Sequence, residues 1–535
     1  MKRLRSLRAT FRRHRCPLLL LLLPSALLLI LFTSLTFPSS SPTFPLHLAC
    51  RATPFPSLCL SLSFPPSPSF PFPLTLLLSS LSLSHSTLRS TLPLLSPYPT
   101  CQSHFILSSH RLSAARASLT QTPKPHLLNS RAYLSAGLLY QYDCSNYLSN
   151  LNKSTPVNPN LISSITHLAS LTSNSLSLLS SYIRFGSDFS RFAPPSTERQ
   201  GFFEEPSVLS YKRISSYSSL SEGVRPNATV CKSGFCDYNS IQDAITAAPD
   251  FVSTRYVIHI KSGTYKETII VPFQKTNVHF IGDGMGKTVI TGELNAQMPN
   301  LTTIDTATVT AIGDGFRAHD ITFENSAGAG AHQAVAFRSD SDRSVLEFVE
   351  FRGHQDTLYA RSMRQFYRNC YITGTVDFIF GNSAALFYNC TIETVPRLDR
   401  PEKGAKNIVT AHGRTNPAQA TGFVFHNCRI SGSKEYMVLY KKNTLVHRLY
   451  LGRPWKEFAR TVFIGCYFGE MIMNEGWLPW RGEFALGTLY YGEYGNWGPG
   501  ADTKGRVEWS SQVPKDRLHS YSVENFIQGH EWIQY

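Results

Sequence analysis

The chain has 535 residues, of which 42 % are hydrophobic and only 16 % charged, with a net charge of +15. Residues 1–225 hold 20 Lys/Arg against 6 Asp/Glu, whereas residues 226–535 hold 31 against 30. The length allows two or three domains with a sizeable core, and the charge balance of the second part argues against a nucleic-acid partner.

The first fifteen residues, MKRLRSLRATFRRHR, carry seven Lys/Arg and precede the apolar run CPLLLLLLPSALLLILF. A basic flank before an apolar stretch reads as a signal peptide or signal-anchor spanning residues 1–45, with transient membrane contact and export of the remaining chain. Sequons at Asn152, Asn227, Asn300 and Asn389 agree with a secreted glycoprotein. Apart from Cys16 in the targeting segment, ten cysteines remain for an oxidising compartment.

Residues 34–130 are rich in Ser, Leu and Pro, and no Asp or Glu occurs before Asp143. The prolines within 60–100 predict helix breaks there. Farther on, Ile162, Ile165, Leu168 and Leu171 fall at helical spacing and predict a helix with one apolar stripe. Residues 46–185 are thus read as a helical domain, and 186–225 as a linker.

From Val230 onward the pattern changes to short β-rich runs separated by Gly, Asn and Asp, among them QFYRNCYITG, ALFYNCTIET and GFVFHNCRISG. Cys370 to Cys390 and Ile372 to Ile392 are both steps of 20 residues. A recurring step near 20 without crossover helices predicts a solenoid of stacked coils, an all-β parallel β-helix over 226–535. Cys370 and Cys390, one coil apart, either form a disulfide or fill the interior as thiols.

Two segments echo each other at 21 residues' distance: Phe351-Arg-Gly-His-Gln-Asp356 and Ile372-Thr-Gly-Thr-Val-Asp377. Stacked coils bring such positions side by side at about 4.8 Å. Asp356 and Asp377 then project from neighbouring rungs, with Gln355 beside the first and Gln333 one rung earlier. Gln355 and Asp356 share one site only if the strand ends or bulges there. Close carboxylates cannot both ionise freely, so one remains a proton donor beside the other as nucleophile or base. Two carboxamides suit a developing oxyanion. The set fits acyl transfer at an ester. The chain lacks Gly-x-Ser-x-Gly, HExxH and paired CxxC, so neither a serine-hydrolase elbow nor a zinc site is signalled. His332 and His354, each preceding a key Gln, raise a metal or base alternative but are read as residues that flank the site or pack.

Five ordered blocks carry a family resemblance: SGTYKETIIVP (262–272), QAVAFR (333–338), GHQDTLYA (353–360), GTVDFIFGNSA (374–384) and YLGRPWKEFARTVF (450–463). Residues 226–535 closely resemble plant pectin methylesterases, whose fold is a right-handed parallel β-helix. The resemblance implies hydrolysis of methyl esters of homogalacturonan without a cofactor, by a monomeric enzyme of the cell wall. It implies that Asp377 is the nucleophile, Asp356 the acid and later base, and Gln333 and Gln355 the oxyanion-hole amides. Arg453 then orients Asp377 and lowers its pKa, and Trp455 is a platform for the sugar. His354 stands where Tyr or Phe is common and Phe458-Ala459 where Tyr-Ser is frequent, which bears on subsite preference.

CRATPFPSLC (50–59) and RAYLSAGLLYQYDCSNYLSNLN (131–152) resemble the pectin-methylesterase-inhibitor-like domain, a four-helix bundle. This implies bridges Cys50–Cys59 and Cys101–Cys144 and an inhibitor-like pro-region, with either this domain or a separate inhibitor protein as the enzyme's partner. The basic processing motif usual between the domains has its nearest counterpart in YKRI (211–214). Two rival readings remain: a different pectin-active β-helix enzyme, and a non-catalytic inhibitor or wall-binding protein acting through residues 46–185.

Overall fold

The structure, a computed structural model, describes residues 43–62, 72–121, 125–152, 156–203, 224–397 and 405–533. The targeting segment and the YKRI stretch lie outside them. Among the described residues no helix is long and apolar enough to cross a membrane.

The N-terminal part is a bundle of four long helices: α1 (Phe72–Thr91), α2 (Pro99–Thr120), α3 (Pro125–Leu151) and α4 (Pro159–Phe185). Each packs on two others, closing the ring α1–α2–α3–α4. The proline-rich composition does not break α1 as expected. Its only proline, Pro73, lies in the first turn, where no intrahelical N–H donor is lost, and Pro93 follows its end. In α4 the Asn158 side chain caps the Asn160 amide, and Gly186 ends the helix at φ +60°. Ile165, Leu168 and Leu171 are buried as the stripe predicts, although Leu161 rather than Ile162 completes it.

A bundle so rich in serine buries hydroxyls. Ser84, Ser175 and Ser180 donate to carbonyls four residues back in their own helices, and Ser80 and Ser175 hydrogen-bond across α1 and α4 at 2.7 Å. Their polarity is therefore satisfied without charge. Disulfides Cys50–Cys59 and Cys101–Cys144 are present, and a third, Cys231–Cys236, has no counterpart in the sequence reading.

The C-terminal part is a parallel β-helix. Its strands form a 17-stranded and a 7-stranded sheet, and the strand pairings among the described residues are parallel. Stacking like upon like fills the interior. Tyr367, Phe387, Phe425 and Phe463 stack ring on ring at 4.6, 4.6 and 4.5 Å. Cys370, Cys390, Cys428 and Cys466 form a second column of buried free thiols. The open choice between bridge and thiols for Cys370 and Cys390 thus falls to thiols. The Cys370 thiol donates to the Leu346 carbonyl and that of Cys428 to the Phe387 carbonyl, so each sulfur is directed at the preceding coil's backbone.

Part of the segment read as a linker is packed instead of free. Phe192 and Phe203 are buried. Glu198 reaches between Arg414 and Arg460 of the β-helix. Burial alone would raise its pKa, but the Arg460 and Arg414 charges hold it down at about 2.

Candidate active site

The 7-stranded sheet carries the site. Its relevant strands are β1 (Phe337–Ser339), β2 (Leu358–Ala360), β3 (Ile379–Gly381), β4 (Ala405–His412) and β5 (His447–Gly452), paired in that order. The echo seen in the sequence is a register: Phe351 pairs with Ile372, Leu358 with Ile379, and Gln333 with Gln355.

Asp356 and Asp377 occupy the same turn in successive coils. Both have left-handed backbone, φ +65° and +51°, in the turn between two strands, where it re-aims the side chain. This turn brings Gln355 and Asp356 into one site. The glycine three residues before each Asp is required by close approach: a Cβ on Gly353 would meet Thr357 Oγ1 at 2.7 Å, and one on Gly374 would meet Phe378 Cβ at 2.1 Å. The residue after each Asp therefore folds back over a glycine.

Arg453, just past β5, distinguishes the two carboxylates. It donates from Nε and Nη2 to the two oxygens of Asp377 at 2.8 and 2.6 Å. This is a bidentate pair, the geometry in which a guanidinium is most selective. The guanidinium also lies 4.3 Å over the ring of Trp480. Asp356 and Asp377 are 7 % and 5 % exposed. Burial pushes the Asp356 carboxyl well above the ordinary range, the Asp377 charge adds to this, and Arg453 offsets a part. Burial also raises Asp377, against the pull of the Arg453 hydrogen bonds and charge. The expected fall of the Asp377 pKa is thereby corrected: desolvation outweighs the guanidinium. The asymmetry survives, because the bidentate grip of Arg453 goes to Asp377 alone.

Gln333, Gln355, Asp356, Asp377, Arg453 and Trp455 all line one cleft of about 640 Å³. Tyr359 and Phe380 form its aromatic floor, stacked at 4.2 Å, with Trp455 edge-on to Phe380 at 6.0 Å. Trp455 also lies over Gly413, where a Cβ would come within 2.8 Å of the ring. His332 and His354 are not among the residues lining the cleft. Burial lowers the His354 pKa, and its Nδ1 finds no partner among the described residues. All four sequon asparagines are exposed.

The sequence reading missed Tyr359, Phe380, Trp480 and the bundle's share of the cleft. The first two were legible, since each stands three residues after its Asp and so extends the echo. Trp480 has no such signal, being brought in by a distant loop. The bundle adds His104, Asp143, Asn146, Tyr147 and Asn150 to the lining. It is held there by Arg111 on Asp314, Asp143 on Arg361, and Tyr140 on Ser362.

Fold and cleft together define a β-helix protein with the groups of a carboxylic ester hydrolase. Residues 227–530 match the family described as pectinesterase, and residues 46–178 that described as plant invertase/pectin methylesterase inhibitor. The chain is 46 % identical over 509 residues to probable pectinesterase/pectinesterase inhibitor 64 of Arabidopsis thaliana, covering 91 % of this chain and 84 % of that protein. It is 40 % identical over 424 residues to pectinesterase 2.1 of Solanum lycopersicum, covering 78 % and 73 %. A solved structure, pectin methylesterase from carrot, matches with a TM-score of 0.56 at 45 % identity, over 58 % of this chain and 96 % of that one. The chain belongs to the pectinesterase family and carries an inhibitor-like domain before the catalytic one. Its reaction is the de-esterification of pectin in the cell wall.

Proposed function

We propose that the chain hydrolyses the methyl esters of homogalacturonan with Asp377 as nucleophile and Asp356 as acid and base. The observation that carries this is the selective grip of Arg453 on Asp377, which fixes one carboxylate as an oriented anion and leaves the proton on its neighbour. An Asp377 oxygen attacks the ester carbonyl carbon. The oxyanion that forms accepts hydrogen bonds from the side-chain amides of Gln333 and Gln355. Collapse of this intermediate breaks the bond to methoxide, which takes the Asp356 proton and leaves as methanol. An anhydride now joins Asp377 to the galacturonosyl unit. Asp356, as carboxylate, takes a proton from water, and the hydroxide attacks the anhydride carbonyl. Asp377 leaves as carboxylate, the product acid is released, and Asp356 is again protonated. No cofactor enters. Trp455, with the floor of Tyr359 and Phe380, offers apolar faces to sugar C–H groups.

We further infer that residues 46–185 restrain the enzyme from within, because helices α2 and α3 contribute a wall of the cleft. Residues 1–45 direct export and hold the unprocessed chain at the membrane. The monomer suffices, since every group named comes from one chain. The test is methanol release from highly methylated pectin by residues 226–535 and by the full chain. Release without chain cleavage by the shorter protein, and a lower rate from the full chain, are expected. Chain cleavage, or no methanol from either, overturns the esterase mechanism. Equal rates overturn the restraint.

A further inference from the structure

We propose that Arg361 is a carboxylate subsite of the cleft, occupied in the full chain by Asp143 of the bundle, and that it receives the free carboxylate of a de-esterified galacturonate unit. This rests on the esterase reading above and names the substrate pattern its cleft prefers.

Arg361 follows β2 and stands two residues beyond Tyr359, on the same side of the strand. Tyr359 lines the cleft, and so does Asp143. The Arg361 guanidinium donates from Nη1 to Asp340 at 3.0 Å and from Nη2 to Asp143 at 2.7 Å. Its face lies 4.8 Å over the ring of Tyr140, also from α3. Arg361 is fully buried, whereas the Asp143 side chain is 21 % exposed.

Charge within the β-helix is not balanced at this point. Asp340 is shared with Arg338 at 2.7 Å and accepts from the Ser362 hydroxyl at 3.0 Å. Two guanidiniums thus face one carboxylate, and the second carboxylate is supplied by the bundle. His104 of α2 also faces the group, but burial and the charges of Arg361 and Arg338 push its pKa well down, so it adds no charge. The Nε of Arg361 has no acceptor among the described residues. Arg361 is not itself part of the lining while Asp143 covers it. Once the bundle departs, Nη2 loses its carboxylate while Nη1 keeps Asp340, and the freed edge of the guanidinium fork is matched to a carboxylate.

The substrate polymer carries that group. Each turnover converts an ester into a carboxylate next to the following ester. A cation placed to hold it makes the product of one cycle strengthen binding for the next, which favours contiguous de-esterified blocks. The same geometry makes Asp143 a mimic of the uronate, so bundle and de-esterified substrate compete for one arginine.

The test is a calorimetric titration of a fully de-esterified oligogalacturonate into residues 226–535. The carrot structure, 96 % of which is matched by this part of the chain, shows that the β-helix stands without a bundle. The wild-type region should bind, Arg361→Gln should bind roughly tenfold more weakly, as befits one lost charge-assisted contact, and Arg361→Lys should recover part of the loss. The full chain should bind no better than Arg361→Gln. Equal affinity of wild type and a folded Arg361→Gln overturns the proposal. Should that variant fail to fold, the guanidinium nitrogen resonances of Arg361 in the wild-type region decide: a saturating shift on titration supports the subsite, and none overturns it. Binding is read without turnover, so failure of the esterase mechanism shows separately, as absent methanol release.

Discussion

The coils around Asp356 and Asp377 differ far less in backbone than in surroundings. Both aspartates are left-handed, both follow a glycine by three residues, and both precede an aromatic residue by three. What separates them is one side chain from another coil: Arg453 binds Asp377 through two hydrogen bonds and makes no such pair with Asp356. A repeated fold can thus make two equivalent carboxylates, and a single asymmetric contact is what the proposed mechanism uses to give them different protonation.

Substitutions at five positions test that contrast. The largest effect is expected from Asp377→Asn, which keeps the shape of the coil and removes the proposed nucleophile. Methanol release should fall by roughly a thousandfold or more, in line with loss of other essential groups. A folded variant with near-normal release removes Asp377 from the chemistry.

Next comes Arg453→Leu, which erases the asymmetry. Arg453 opposes the upward push of burial on Asp377, so without it the Asp377 pKa rises further. The proposed attack needs ionised Asp377, so the acid limb of the pH–rate profile should move to higher pH. The maximal rate should fall by about a hundredfold, because the carboxylate also loses its orientation. An unmoved limb with an unreduced maximum places the function of Arg453 elsewhere.

The two glycines should part company in stability. In Gly374→Ala the new methyl meets Phe378 Cβ at 2.1 Å and the His354 carbonyl oxygen at 2.8 Å, groups anchored to the backbone. In Gly353→Ala it meets the Thr357 side chain at 2.7 Å, which has some freedom to turn. Denaturant melts should show a cost of about 3 kcal/mol for the first and about 1 kcal/mol for the second. Equal costs mean that the two turns are more alike than their packing indicates.

The smallest effect is assigned to Trp455→Ala. The ring lies at the cleft surface over Gly413. The Michaelis constant for pectin should therefore rise by roughly tenfold, the loss of one stacking contact, while Tm moves by only a few degrees. A large fall in Tm with an unchanged Michaelis constant makes Trp455 a packing residue instead.

Much of this site was legible in the sequence because a parallel solenoid converts sequence period into spatial neighbourhood. The 21-residue echo placed Asp356 beside Asp377, and the register of Phe351 with Ile372 is that echo in space. The same logic extends to Tyr359 and Phe380. The helical stripe of α4 was legible from its 3.6-residue period, and the bundle's two disulfides from motif resemblance. Composition misled for α1, since prolines break a helix only in its interior, and Pro73 lies in the first turn. Whether Cys370 and Cys390 join or stay thiols depended on where sulfur atoms point inside the column, which spacing does not encode.

What only the tertiary structure decided are the contacts between parts of the chain with no common period. Arg453 reaches Asp377 across 76 residues, Asp143 reaches Arg361 across 218, and Glu198 reaches Arg460 across 262. The net direction of the Asp377 pKa belongs here as well, since it is the balance of burial against one guanidinium, and burial is a property of the whole fold. Local pattern and repeat length determined the coils and the paired carboxylates, because stacking needs only period. The choice of which carboxylate Arg453 grips, and of what covers the cleft, came from long-range packing, where one side chain's position depends on all the coils beneath it.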